Sequence, residues 1–362
     1  MTKKKVFING YADDNLGDDI FFDLLFTKYP QADFYFNVKG VPNNLKQYSN
    51  CKVIYKQKIE FFKFLSQMDI YLLIGGSMFQ ESNSFKLMIS KWIKNLILFL
   101  YLRMKSVKIA CIGFNFGPVR TKAFLNLYRI LFEIPNYLSV RDEDTYKLFK
   151  KNSKFHYYPD IVFGISNSLM SKKKLQSLGV SIMDFGPNVS FQKEYNEFIA
   201  QVLNNVDSSI PINIYGFQNS KTISDITVIN DVLRKVDRLV NVMLYDGNNL
   251  KEFIGSYGAN TYAITTRFHS LVLSLLNQQA TLSIKYNIKV TNLLKMVNTS
   301  TSQVSISDLS NGDIAVSCAT KINNFFKDEE LARQPLVDWS KIESYKKYST
   351  KHFEYLDELL IE

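Results

Sequence analysis

A chain of 362 residues is long for a single core and suits two domains. With 46% hydrophobic and 14% aromatic residues it has ample material for buried sheets, which excludes a disordered chain. Lys and Arg number 44 against 34 Asp and Glu, a net +10 that fits anionic partners (nucleic acid, phosphorylated small molecules or an anionic membrane surface) without choosing among them.

In chain order, Lys5 to Ile8 reads as a first strand. The run Val6-Phe7-Ile8 is too short for the apolar core of a signal peptide. The loop from Asn9 to Asp19 holds four acidic residues and lacks G-x-G-x-x-G and G-K-[ST], so a dinucleotide or phosphate cradle is disfavoured. Its carboxylates suit sugar hydroxyls better. A helix is predicted over about Asp18 to Lys28, where Asp18 and Asp19 also complement the helix N-terminus. Short strands follow at Ala32–Val38 and Lys52–Tyr55, a helix at Ile59–Met68, and an apolar strand at Asp69–Ile74. That strand ends in Gly75-Gly76, which permits close backbone approach by a ligand or by another loop. Trp92 to Met104 is helical, too short to span a bilayer, and flanked by Lys91, Lys94, Arg103 and Lys105. It is read as a helix buried in the domain, the alternative being one that lies on an anionic membrane.

Val107–Ile112 is a strand, Thr121–Phe132 a helix, and Tyr137–Val140 a strand that places Arg141 at its carboxyl end. Asp142-Glu143-Asp144 matches the D-x-D of metal-dependent sugar transferases, but at a helix start it reads more simply as a cap. Ser166 to Leu178 is polar and lysine-rich and is read as a linker. A second alternation follows: strands at Val180–Phe185, Pro211–Tyr215, Val240–Tyr245 and Ala280–Ile284, and helices at Tyr195–Val206, Ile223–Val236, Leu250–Tyr257, Lys289–Val297 and Asp313–Lys327. Alternating βα units in both halves imply two doubly wound parallel sheets. The expected domains are 1–168, 169–330 and a helical tail, 331–362, packing back on the body. Cys51, Cys111 and Cys318 point to a reducing compartment without a disulfide framework. With His156, His269 and His352 as the only histidines, no spacing resembles a metal site, and none is expected.

The stretch Thr261–Leu276 carries the strongest chemistry. A β-like run, Tyr262-Ala263-Ile264, leads into a helix with Leu271, Val272, Leu275 and Leu276 on one face. The junction Thr265–Ser270 then lies at the carboxyl end of a strand, where open α/β sheets bind ligands and a helix start favours anions. Arg267 adds a fork of donors suited to carboxylate or phosphate. In an extended turn His269 would face the same way. An ordinary exposed turn would carry the same two residues.

Six motifs in order resemble the polysaccharide pyruvyl transferase family: N-G-Y-A-D-D-N-L-G-D-D-I from Asn9, L-I-G-G-S-M-F-Q-E from Leu73, I-G-F-N-F-G-P from Ile112, S-V-R-D-E-D-T from Ser139, P-D-I-V-F from Pro159 and T-T-R-F-H-S-L-V-L-S-L from Thr265. The resemblance covers about Val6 to Val297. It departs at Ser77, where a third glycine is common, at Asn115-Phe116, where Gln or Leu is common, and at Gln278-Gln279-Ala280, where Gly-Val/Ile-Pro is common. It implies a GT-B-like fold of two Rossmann-like domains facing a cleft. It also implies transfer of the enolpyruvyl group of phosphoenolpyruvate onto two hydroxyls of a sugar in a surface or capsular polysaccharide precursor, forming a pyruvate ketal. Phosphoenolpyruvate is then the donor substrate and no cofactor is expected.

On this reading His269 is the proton donor and Asp18 accepts a proton from the acceptor sugar. Arg267 and Arg141 bind the donor's anionic groups. Ser270, Gly75, Gly76, Asn15 and Gly17 complete the expected binding residues. A bound dianion favours the imidazolium more than the helix dipole opposes it. The acceptor is expected to be lipid-linked, nucleotide-linked or polymeric. The protein is expected to be cytoplasmic, with peripheral contact at the inner membrane face as an added reading and no nucleic-acid partner. Two other classes fit: a GT-B glycosyltransferase using a nucleotide sugar, with Asp246 gripping the ribose, and a non-catalytic membrane-surface scaffold using Trp92–Lys105.

Overall fold

The computed structural model describes residues 3–76, 78–186, 189–220, 223–297, 302–328 and 338–361. Ser77 and the start of the expected tail, 331–337, lie outside them. Internal contacts divide the chain into two units, one of 1–12, 18–164 and 345–362, the other of 13–17 and 165–344.

The first unit is a seven-stranded sheet of β1 (Lys5–Asn9), β2 (Asp33–Asn37), β3 (Cys51–Ile54), β4 (Ile70–Ile74), β5 (Lys108–Phe114), β6 (Tyr137–Val140) and β7 (Phe155–Tyr157), in the order β3-β2-β1-β4-β5-β6-β7. Every neighbouring pair is parallel. All five residues of β4 are buried, as a strand covered on both faces requires. Among its helices are α1 (Leu16–Lys28), α2 (Lys58–Leu65), α3 (Phe85–Met104), α4 (Lys122–Leu131) and α5 (Glu143–Phe149). Aromatic packing of Phe79, Phe114, Phe116 and Phe132 dominates the core under α3 and α4.

The second unit is a six-stranded sheet of β8 (Leu175–Ile182), β9 (Ile212–Gly216), β10 (Asn241–Leu244), β11 (Asn260–Thr265), β12 (Ala280–Lys285) and β13 (Ser302–Ser305), in the order β10-β9-β8-β11-β12-β13. It too is parallel throughout. Its helices include α6 (Gln192–Asn205), α7 (Asp225–Leu233), α8 (Leu250–Ala259), α9 (Phe268–Leu276), α10 (Ile288–Met296) and α11 (Gly312–Lys327). The residues read as a linker differ from expectation: Leu175 to Leu178 already belong to β8, because the alternation L-Q-S-L-G-V-S-I begins inside the polar run.

In each sheet the strand order reverses once, between β1 and β4 and between β8 and β11. Such switch points open a crevice outside the carboxyl ends of the strands. α12 (Trp339–Ser349) begins in the second unit, and from Tyr345 the chain, with α13 (Glu354–Leu360), belongs to the first. There Tyr29 donates its hydroxyl to Asp357 at 2.7 Å.

Candidate functional site

At the second switch point the chain leaves β11 through Thr266 and Arg267 and enters α9 at Phe268. Arg267 keeps an extended backbone (φ −69°, ψ 144°) as the residue that caps the helix, and His269 sits in the first helical turn rather than in an extended turn. Thr266 is held below by the Tyr195 hydroxyl at 3.0 Å. Ser270 is fully buried and donates its hydroxyl back to the Arg267 carbonyl at 2.6 Å, so it fixes the turn instead of facing outward.

Arg267 is expected as an open anion fork, but the structure finds it paired. Its Nε and Nη2 donate to the two oxygens of Asp225 at 3.0 and 2.5 Å, and Nη1 donates to Gln218 Oε1 at 3.1 Å. The side chain is 12% exposed beside an Asp225 of 0%. Burial pulls the guanidinium down, but the Asp225 carboxylate outweighs it and holds Arg267 above the ordinary arginine value. Asp225 also accepts the backbone N–H groups of Asp184, Phe217 and Gln218 at 2.9, 2.8 and 3.0 Å. It therefore ties together the loops that follow β8, β9 and β11, and a buried carboxylate so satisfied is a rigid anchor.

The first loop of the chain reaches this same place. Leu16 N donates to the Phe217 carbonyl at 3.0 Å, Asn219 N to the Asp14 carbonyl at 3.2 Å, and Asn15 Nδ2 to Gln218 Oε1 at 3.2 Å. Gln218 Oε1 thus joins Asn15 to Arg267. Asn15 Oδ1 accepts the Gly17 N–H at 3.1 Å. Gly17 lies where this loop turns into α1, and a Cβ on it would stand 1.7 Å from His269 Nδ1, so glycine is required for the segment to lie on the imidazole. Asn15, Gly17, Arg267 and His269 are four expected residues brought together in one unit. Asp225 and Gln218 are the two that sequence reasoning missed.

The other expected residues lie in the first unit. Arg141, expected as an anion ligand, is only 8% exposed and its fork is held inside. Nη1 donates to Asp160 Oδ2 at 2.7 Å and Nη2 to Asn115 Oδ1 at 3.1 Å. Three of the family-like motifs meet in that cluster. His352, from the chain end, completes it: one ring nitrogen bonds the Pro159 carbonyl at 2.8 Å and the other the Ser139 hydroxyl at 2.8 Å. Since a carbonyl only accepts, Nε2 carries the proton and Nδ1 accepts from Ser139.

Gly75 and Gly76 both take positive φ, +67° and +73°, at the end of β4, and a Cβ on Gly75 would meet the Phe21 ring at 2.3 Å. Asp18 is half-buried in the first turn of α1, while its neighbour Asp19 is buried and accepts from Asn44. Asp142 caps α5, accepting from Thr145 N at 2.8 Å. Asp246, which a ribose grip would use, accepts the backbone N–H groups of Asn248 and Asn249 and closes its own turn. Among the described residues no group of His, Cys, Asp or Glu is arranged to hold a metal ion.

Two parallel-sheet α/β units of this kind define the GT-B-like class. Solved structures sharing the fold include S. aureus MnaA with UDP (TM-score 0.58, 11% identity, 100% of this chain and 98% of that one). They also include Anabaena Alr3699/HepE with UDP and glucose (0.56, 10%, 97% and 95%) and Acinetobacter baumannii MurG (0.54, 11%, 99% of each). At such identities the likeness is one of fold alone. No curated protein matches the sequence. The model of the polysaccharide pyruvyl transferase family matches residues 15–287, and the chain belongs to that family.

Proposed function

We propose that the protein transfers the enolpyruvyl group of phosphoenolpyruvate to two hydroxyls of a sugar in a polysaccharide precursor, forming a cyclic pyruvate ketal. The observation that carries this reading is the Gly17 loop lying on His269 two residues beyond the Asp225-anchored Arg267, at the switch point of the second sheet. The family match supplies the reaction class.

His269, as imidazolium, gives its proton to the vinyl methylene, making a methyl group and an oxocarbenium-like carbon. The first sugar hydroxyl attacks that carbon and its proton restores His269. The second hydroxyl displaces phosphate, which leaves with the remaining proton. Asp225 takes the Nε–Nη2 edge of Arg267 and Gln218 one proton of Nη1, and the remaining Nη protons orient the donor's carboxylate. Because that pair is close to neutral, the phosphate needs further positive charge. We assign it to the N-terminus of α9, to Lys285, which ends the adjacent parallel strand β12, and to Lys289 in the first turn of α10.

The test is phosphate release from phosphoenolpyruvate against a panel of lipid-linked and nucleotide-linked sugars, with the sugar product weighed. Sugar-dependent release with a pyruvate-sized mass gain is expected. A nucleotide-sugar glycosyltransferase is the other reading, favoured by the UDP-bound structures that share the fold. Thermal stabilisation by UDP and none by phosphoenolpyruvate would replace the first reading with the second.

A further inference from the structure

Between Glu81 and Glu133 the chain contains no acidic residue and nine basic ones, almost the whole of its net charge of +10. All nine are exposed. The segment builds α3, β5 and α4, and the two helices pack together, with Trp92 Nε1 donating to the Leu127 carbonyl at 2.8 Å. One face of α3 is spent on the core through Met88, Phe99 and Leu102. The opposite face is apolar as well. Ile93, Ile97, Leu100 and Met104 recur at spacings of four, three and four, a straight stripe on a helix, and are 42, 56, 47 and 82% exposed. Lys94, Arg103 and Lys105 border the stripe, and all are exposed. Trp92, by contrast, is half-buried and turned inward, so the stripe and not the tryptophan is the outward apolar element.

Soluble surfaces rarely leave a continuous apolar row bare. A row whose charged neighbours on the helix are all cations matches the interfacial helices that sink one face into the headgroup region of an anionic bilayer while their Lys and Arg stems reach the phosphates. Spanning is excluded for this helix: among the described residues no helix is long and apolar enough to cross a membrane. A second copy is a poor occupant, since it would set two such basic faces against each other.

We infer that the outer face of α3, with the basic surface around it, docks the protein on an anionic phospholipid bilayer. Each Lys or Arg held near such a surface adds about fivefold to binding, and the attraction falls with salt.

The experiment is co-sedimentation of the full chain with vesicles of phosphatidylcholine alone and of an equimolar mixture with phosphatidylglycerol. Wild type is compared with Ile97→Ser/Leu100→Ser, with Lys94→Gln/Lys105→Gln, and with Lys193→Ser on the second unit as a control. Binding is expected only to the anionic vesicles. It should fall more than tenfold in each α3 variant and at high salt, and be unchanged in the control. The substituted side chains are exposed, so melting temperatures should hold and separate lost docking from lost folding. Absent binding to anionic vesicles, equal binding to both compositions, or binding indifferent to the α3 variants would overturn the inference. So would a wild-type dimer that becomes monomeric on Ile97→Ser/Leu100→Ser without any vesicle binding, which would assign the face to a second copy.

Discussion

Arg141 and Arg267 occupy the same kind of place. Each follows the carboxyl end of a buried parallel strand, each is paired with an aspartate, Asp160 or Asp225, and each donates a further bond to a side-chain amide, Asn115 or Gln218. Their surroundings differ. Arg141 is backed by His352 from the chain end, which bonds the Ser139 hydroxyl and the Pro159 carbonyl on either side of the pair. Arg267 is followed by a half-buried histidine on which the Gly17 loop rests. An arginine at a strand end is therefore not by itself an anion site. The residue two positions on, Glu143 in one case and His269 in the other, separates a structural ion pair from a candidate catalytic one.

The largest effect should fall on the structural side. Arg141→Ala strands Asp160 in a buried site and should cost about 3–5 kcal/mol, read by denaturant unfolding. A loss under about 1 kcal/mol would mean that the pair does not hold the first unit together.

His352 sharpens the same side through pH. Burial is the main cause that lowers it to about 4 from an ordinary 6.5, with the Pro159 carbonyl opposing. The unfolded chain takes up this proton first, so the contribution is complete above about 6.5 and is lost as pH falls through about 4. That loss is on the order of 3 kcal/mol. Wild type should lose stability across that window more steeply than His352→Asn, and parallel curves would remove the histidine from the account.

On the other side, Arg267→Lys keeps a charge but cannot make the side-on pair with Asp225 and reach Gln218 as well. Turnover should drop about a hundredfold, and near-wild-type turnover would sink the role given to the fork. Gly17→Ala should have a smaller effect, a roughly tenfold loss of turnover with the fold kept, because only the loop and the imidazole must move apart. Unchanged kinetics in that variant would show that their contact is incidental.

The sheets were legible because β1, β4, β5 and β11 are continuous apolar runs between turn residues, and parallel strands buried on both faces must be so. β13, S-Q-V-S, was not, being short, polar and at a sheet edge. Nor was the three-residue β7. At the site, Arg267 and His269 stood out because a strand runs straight into a helix there. Asp225 did not, since an acid at a helix start reads as an ordinary dipole partner and its tie to Arg267 spans 42 residues. The membership of Asp13–Gly17 in the second unit was equally hidden, because it rests on bonds to Phe217, Gln218 and Asn219, some two hundred residues away. Gln278 shows a departure from the family pattern being absorbed locally. It takes φ +56° where glycine is common, while Gln279 locks the turn by donating to the carbonyls of Tyr257 and Asn260.

The most direct measurement is phosphate release from phosphoenolpyruvate, with an accepted sugar, by His269→Ala beside wild type, with melting temperatures taken on the same samples. Unchanged melting and a rate at least about a thousandfold lower are expected, within the range for removing a positioned proton donor. Release within a few-fold of wild type by a folded His269→Ala would contradict the role given to His269.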